Sequence, residues 1–325
     1  MFGHDRASPS FPHLHFITSI FDFHLWQFLK LYNFTEIFRT MCTVIFDNIH
    51  KEEWLEQIMQ VRDNIPAYKR TTHEITLGVS ADKTLTSFHI ASIACLIEYA
   101  DRSGLHVNLR KQTAAEEYLT DIIQLGEYWA TGRDYIEAKD ETVCNLWRIT
   151  NSGKEMHGRR IQEYLERKFL QNKELDVVHN GLTEAYYNVF DHAHANGIAF
   201  SVITFNKETQ VLDATICDFG VGMVQPIKTA FPHITTDEEA LRRSIEAKFT
   251  IGSSLHNSGM GLDNIRSSCT ENDKMYLFSN KAYLEADNES VAVRALDFDF
   301  KGTLINFGIT LSHLPEKDYI DDFDI

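Results

Sequence analysis

Two stripes of side chains at helical spacing run along residues 178–197, and together they restrict where this segment can sit in a fold. Val178, Leu182, Ala185, Val189 and Ala193 recur every three or four residues, which predicts a half-buried helix over 181–197. Glu184, Asn188 and His192 recur every fourth residue. A carboxylate, a carboxamide and an imidazole therefore stack along one side of the helix, next to its buried face rather than opposite it. Taken alone, the pattern fits equally well a capped amphipathic helix whose polar edge happens to repeat.

At 325 residues the chain is long enough for two domains of ordinary size. Its formal net charge is −16, and no basic cluster interleaved with aromatics occurs. Such a field repels phosphate at long range, so nonspecific binding to nucleic acid or to an anionic membrane is not expected, while a local site for one nucleotide remains open. Cys42, Cys95, Cys144, Cys217 and Cys269 are scattered, odd in number and never in a CxxC pair. They read as core thiols of a reducing, cytoplasmic compartment. No run of about 18 apolar residues predicts a membrane-spanning helix.

Residues 1–40 mix aromatic and charged side chains and read as an arm of no assigned function, ahead of a working chain that starts near Met41. Strand-like runs at 42–46, 73–79 and 106–110 alternate with helical segments at 52–62, 88–103 and 114–125, which predicts a small α/β domain over 41–153. The helix from Phe88 is apolar almost all round and should be buried. A charged helix at 154–171 opens a second domain, 154–314. Two alternating runs at 199–206 and 211–217 then read as an antiparallel hairpin, followed by helices at 237–248 and 263–270 and strands at 275–279, 290–298 and 303–311. The acidic tail, 315–325, should be loose.

Three short motifs punctuate the second domain. Asp218-Phe219-Gly220-Val221-Gly222 ends a strand, where glycines let the backbone turn sharply and an aspartate can accept a hydrogen bond. Gly259-Met260-Gly261-Leu262 opens a helix after a polar, Gly/Ser-rich loop at 249–258. A glycine-rich helix start suits phosphate, because free N–H groups and the helix dipole both favour an anion. Gly302-Thr303 puts a small hydroxyl at the start of a strand.

In the order Glu184-xxx-Asn188-xxx-His192, Asp218-x-Gly220-x-Gly222, Gly259-x-Gly261-Leu262 and Gly302-Thr303, residues 170–312 resemble the GHKL, or Bergerat-type, ATP-binding domain of gyrase, certain chaperones, sensor histidine kinases and MutL. The resemblance implies an α/β sandwich, a mixed sheet with helices on one face. It also implies ATP as ligand, with Asn188 as the oxygen ligand of magnesium and Glu184 as general base. Asp218 would accept from the adenine amino group, and Gly220 and Gly222 would give the base room. His192, Gly259, Gly261 and Leu262 would lie toward the phosphates, with 249–258 as a lid, and Thr303 would join the water network around adenine.

Asp218-Phe219-Gly220 also spells the metal-binding triplet of protein kinases, but no HRD, VAIK or APE segment accompanies it. Asp191, His192 and His194 lack a further clustered ligand for a metal site. Within the superfamily, the unit at 41–153 looks STAS-like, and the Glu-Asn-His helix resembles the anti-sigma-factor serine kinases that partner such domains in bacteria. This implies a regulatory ATPase or serine/threonine kinase with a protein partner, compatible with a homodimer, and with Thr86 or Ser87 as candidate acceptors. An ATP-gated switch without turnover is the alternative. A histidine-kinase fragment using His157 fits less well, since the dimerising helix pair is missing and Asp191 stands where that subgroup often carries lysine.

Overall fold

β1 (Cys42–Phe46), β2 (Glu74–Val79) and β3 (His106–Leu109) pair as parallel strands in that order, with Cys42 opposite Ile75 and Ile75 opposite Val107. Parallel neighbours cannot be joined by a tight turn, so each connection is a crossover helix, α1 (Lys51–Thr71) and α2 (Ser87–Arg102). Right-handed crossovers in this strand order leave both helices on one face of the sheet. The computed structural model describes residues 42–80, 85–139, 143–168, 172–192, 198–246, 261–269 and 273–317. The expectations for 1–40, the loop 249–258 and residues 318–325 of the tail lie outside them.

Helix α1 was expected to stop near Arg62 but continues through Pro66 to Thr71. A proline inside a helix removes one N–H and crowds the preceding turn. Here Trp54, Leu55, Ile58, Met59, Val61 and Ile65 are all buried along the helix, and that packing outweighs the local cost. α2 is buried along nearly its whole length because it lies between two sheets, packing on β3 on one side and on the strands of a second sheet on the other. A short α3 (Ala114–Glu117) runs into a π-helical turn (Tyr118–Ile122), and α4 (Glu127–Thr131) follows.

The second sheet has five antiparallel strands: β4 (Val143–Thr150), β5 (Ile198–Asn206), β6 (Val211–Asp218), β7 (Met275–Ala286) and β8 (Val291–Thr310), in the order β4-β5-β6-β8-β7. The fold class is thus mixed α/β, a parallel three-stranded and a five-stranded sheet; the latter, expected as a mixed sheet with helices on one face, is antiparallel throughout and covered on both faces. β4, read from the sequence with the first domain, is an edge strand here and pairs with β5. The two strands expected at 290–298 and 303–311 form one strand of 20 residues, whose pairing with β7 shifts register around Ser279–Ala282.

Helices α5 (Lys154–Lys168), α6 (Asp176–Tyr187), α7 (Val224–Ala230), α8 (Asp237–Ser244) and α9 (Gly261–Ser268) complete the described α-helices. One face of the five-stranded sheet, with Leu212, Ala214 and Ile216, shares a core with Val178, Leu182 and Ala185 of α6, with Val189 just beyond it, and with Leu262 and Ile265 of α9. The opposite face, with Phe200, Val202, Cys217 and Leu304, shares a core with α1 and α2. With both faces covered, the end of β6 reads as an almost continuous buried run rather than alternating in and out. All described residues belong to one compact unit, Met41–Ile325. Cys95, Cys217 and Cys269 are buried free thiols and Cys42 a half-buried one. Among the described residues no helix is long and apolar enough to cross a membrane.

Candidate functional site

Strand alternation places Asp218, at the end of β6, on the same face as Leu212, Ala214 and Ile216, toward α6. Its side chain is fully buried. Oδ1 accepts from the backbone N–H of Gly220 at 2.5 Å, and Oδ2 from that of Thr303 at 3.1 Å. Thr303 is the residue opposite Asp218 in the β6–β8 pairing. Burial pushes the Asp218 carboxyl up to about 7, against the pull of those two N–H groups, the Thr303 hydroxyl and the Arg62 guanidinium. The hydroxyl lies near enough to favour the ionised carboxylate but outside hydrogen-bond geometry, so Thr303 Oγ1 is buried without a hydrogen-bond partner.

Glycine is required at two places around this carboxylate. Gly302 has φ +153°, and a Cβ there would overlap the carbonyl oxygen of Asp218. Gly222 has φ +82°, and its Cβ would run into Ser279 Oγ and Asn280 Oδ1. Ser279 Oγ accepts from Met223 N–H at 2.8 Å and donates to the Gly302 carbonyl at 3.0 Å, and Asn280 Nδ2 donates to Val221 O at 3.2 Å. The turn after Asp218 is thereby tied to both β7 and β8.

Over 178–189 the apolar stripe is buried with the polar residues beside it, while Ala193 lies outside the described residues. Val178, Leu182, Ala185 and Val189 are fully buried, Glu184 is half-buried, and Asn188 is 8% exposed. At Asn188 the helix widens into a π-helical turn, Asn188–His192, a distortion found often at functional sites. Gly181 abuts Ile265 of α9, and Leu262 is buried in the same core, so α9 is held against the helix that carries Glu184 and Asn188. Gly261 is the first residue of α9. His192 ends the π turn, but its side chain and the whole of Gly259 lie outside what the structure describes.

The predicted residues thus fall into two sets. Asp218, Gly220 and Thr303 are joined by hydrogen bonds, with Gly222 in the same turn, whereas Glu184 lies on α6, Asn188 in the π turn that follows it and Leu262 on α9. The first set fits the adenine end of ATP: each carboxylate oxygen of Asp218 keeps a lone pair, and the unpartnered Thr303 hydroxyl stands beside it. The amide oxygen of Asn188 is a hard donor of the kind magnesium takes.

Two candidate acceptors are closed off. Ser87 is fully buried, its hydroxyl bonded to Asp213 Oδ2 at 2.5 Å and to Thr215 Oγ1 at 2.6 Å. His157 is 5% exposed, and burial draws its pKa down. Sequence reasoning overlooked Ser279, Asn280 and Arg62. For Arg62 a signal existed: it falls on the Ile58-Ile65 stripe of α1, a charge on the apolar face of a helix. No protein-family model matches the chain, and no curated protein matches it.

Proposed function

We propose that this chain is a regulatory protein that binds ATP with magnesium at a GHKL-type site on the α6 face of its five-stranded sheet, and turns it over slowly, as an ATPase or a serine/threonine kinase of the anti-sigma type. The observation that carries the reading is the fully buried Asp218 carboxylate, held at a strand end by the Gly220 and Thr303 N–H groups beside a hydroxyl without a partner. An ionisable group kept in such a place is costly to the fold and points to a ligand. Also in keeping with the reading are α6 and α9 on one face of the five-stranded sheet and the parallel unit built around the buried α2, read as STAS-like. The buried thiols support a cytoplasmic location.

In this reading Asp218 accepts from the adenine amino group, and Gly220 and Gly222 keep the base free of side chains. Asn188 offers its amide oxygen one turn beyond Glu184, which takes the proton from an attacking water or hydroxyl. Bound magnesium would screen the triphosphate charge. Gly259, Gly261, Leu262 and His192 are assigned to the phosphate end. One observation favours the alternative of an ATP-gated switch: Ser87, one of the two candidate acceptors in the same chain, is sealed inside the fold. A kinase would then act on Thr86, which is exposed, or on a separate protein, whereas a switch needs only different partner affinities in its nucleotide-bound and free states.

Calorimetry with Mg-ATP tests the reading. Asp218→Ala should abolish binding, Asn188→Ala should weaken it and remove its magnesium dependence, and Glu184→Gln should bind like the wild type but release no phosphate. Equal binding by all four proteins, or by none, would sink the ATP site. Binding as expected without phosphate release even from the wild type would leave the switch.

A further inference from the structure

We infer that Arg62, on the opposite face of the sheet, sets nucleotide affinity by positioning the Asp218-Phe219-Gly220 segment; the inference rests on the reading of Asp218 as the adenine acceptor. The Arg62 guanidinium lies 5.2 Å from the centre of the Phe219 ring and 4.6 Å from that of Tyr99. Tyr99 and Phe300 meet Phe219 edge-on, each at 6.2 Å. The next residue of α1, Asp63, takes Lys301 at 2.6 Å, just ahead of Gly302 and Thr303. Cys95 of α2 donates its S–H to the carbonyl of Cys217 at 3.1 Å. Both chain segments that form the adenine end are therefore gripped from behind by the α1–α2 layer.

Arg62 is hard to explain as a stabilising residue. It is 9% exposed, its Nε is buried without a hydrogen-bond partner, and its ion pair with Asp63 is long, at 3.5 Å. A buried cation so poorly paired recovers little of its own desolvation cost from ion pairing. What it does supply is a flat cation against the ring that follows Asp218, and a positive field that favours the ionised carboxylate. Phe219 also has room to move. A cavity of about 180 Å³ opens beside it, lined by Cys95, Glu98, Tyr99, Arg102 and Phe200. Without Arg62 the ring can slide into that space and carry Asp218 with it. Among the described residues, the thiols of Cys95, on α2, and Cys217, on its own strand, also feel the Asp218 charge, and burial pushes both up; β8 presents Thr303, which does not titrate.

The test is Mg-ATP calorimetry from pH 6 to 9 on the wild type, Arg62→Met, Arg62→Lys and Asp218→Ala, with thermal melts as a control. Wild-type affinity should fall as the pH drops through the Asp218 titration. Arg62→Met should bind about tenfold more weakly near neutrality, a shift typical of losing one nearby charge, with its pH midpoint moved upward and its melting temperature little changed. Arg62→Lys should keep the midpoint, because the charge stays, but bind several-fold more weakly, because an ammonium cannot stack as a guanidinium does. If Arg62→Met does not fold, Arg62→Lys carries the test by itself. Wild-type affinity and midpoint in the Arg62 variants, with binding lost in Asp218→Ala, would overturn the inference and leave the ATP site standing. Failure of the wild type to bind, or unchanged binding by Asp218→Ala, would overturn both.

Discussion

Replacing Asp218 by asparagine should stabilise the ligand-free protein above neutral pH. The carboxyl, ordinarily at 3.8, sits at about 7 in the fold because it is buried. Between those values the folded protein holds a proton that the unfolded chain has released, so stability falls as pH rises through the window, and the full cost is present above it. At 1.36 kcal/mol per pH unit this cost is about 4 kcal/mol. Asparagine escapes it, but offers one carbonyl oxygen to two N–H donors, those of Gly220 and Thr303. The donor left facing an amino group costs about 1–3 kcal/mol. Above pH 8 the variant should therefore be the more stable by about 1–3 kcal/mol, and near pH 5 level or slightly less stable, since the wild-type carboxyl is then neutral too. Urea unfolding of both proteins from pH 5 to 9 measures the difference, and Asp213, which burial also raises, titrates in both and cancels. A difference that does not change with pH would refute the argument.

Gly302→Ala must part β6 from β8 at Asp218, because its Cβ meets a backbone carbonyl rather than a movable side chain. A loss of about 1–3 kcal/mol in urea, together with weaker ATP binding, is expected, and unchanged values for both would contradict the geometry. In Glu116→Gln the loss should be about 2–4 kcal/mol by thermal melting at pH 7, after allowance for the partial exposure of Arg110. Glu116 accepts from Val79, Gln112 and Thr113 N–H and from Arg110 Nε. Burial pushes this carboxyl up, but those donors outweigh it and hold it below the usual range. Its contribution is present above the ordinary carboxylate pKa and is lost as pH falls through the depressed folded one, so the two proteins should converge in acid. Ser87→Ala removes one of the donors to Asp213 at the α2–sheet interface and should cost about 1–3 kcal/mol in the same assay.

How much of this was legible in the sequence depends on whether a residue's role repeats along the chain. The apolar and polar stripes that begin on α6 repeat every turn, and Asp218 closes a strand just before a glycine-rich turn, so their positions could be read directly. Gly302 was read as a break between strands. It lies inside one long strand, because a glycine can mark a close approach of backbones as well as a turn, and the approaching carbonyl belongs to a residue 84 positions earlier. The apolar girdle of α2 predicted burial but could not say between what, since periodicity reports that a face is covered and not by which partner. The same limit hid the Asp63–Lys301 pair and the stack of Arg62 on Phe219, contacts that exist only once α1 lies across the sheet. The two classes of residue meet at Asp218. Its carboxylate and glycines follow from a local motif, whereas the charge behind it comes from a helix more than 150 residues away. If ATP is the ligand, the motif decides that adenine can bind and the packing of α1 decides how tightly, so a partner that shifts α1 would change affinity without touching the nucleotide.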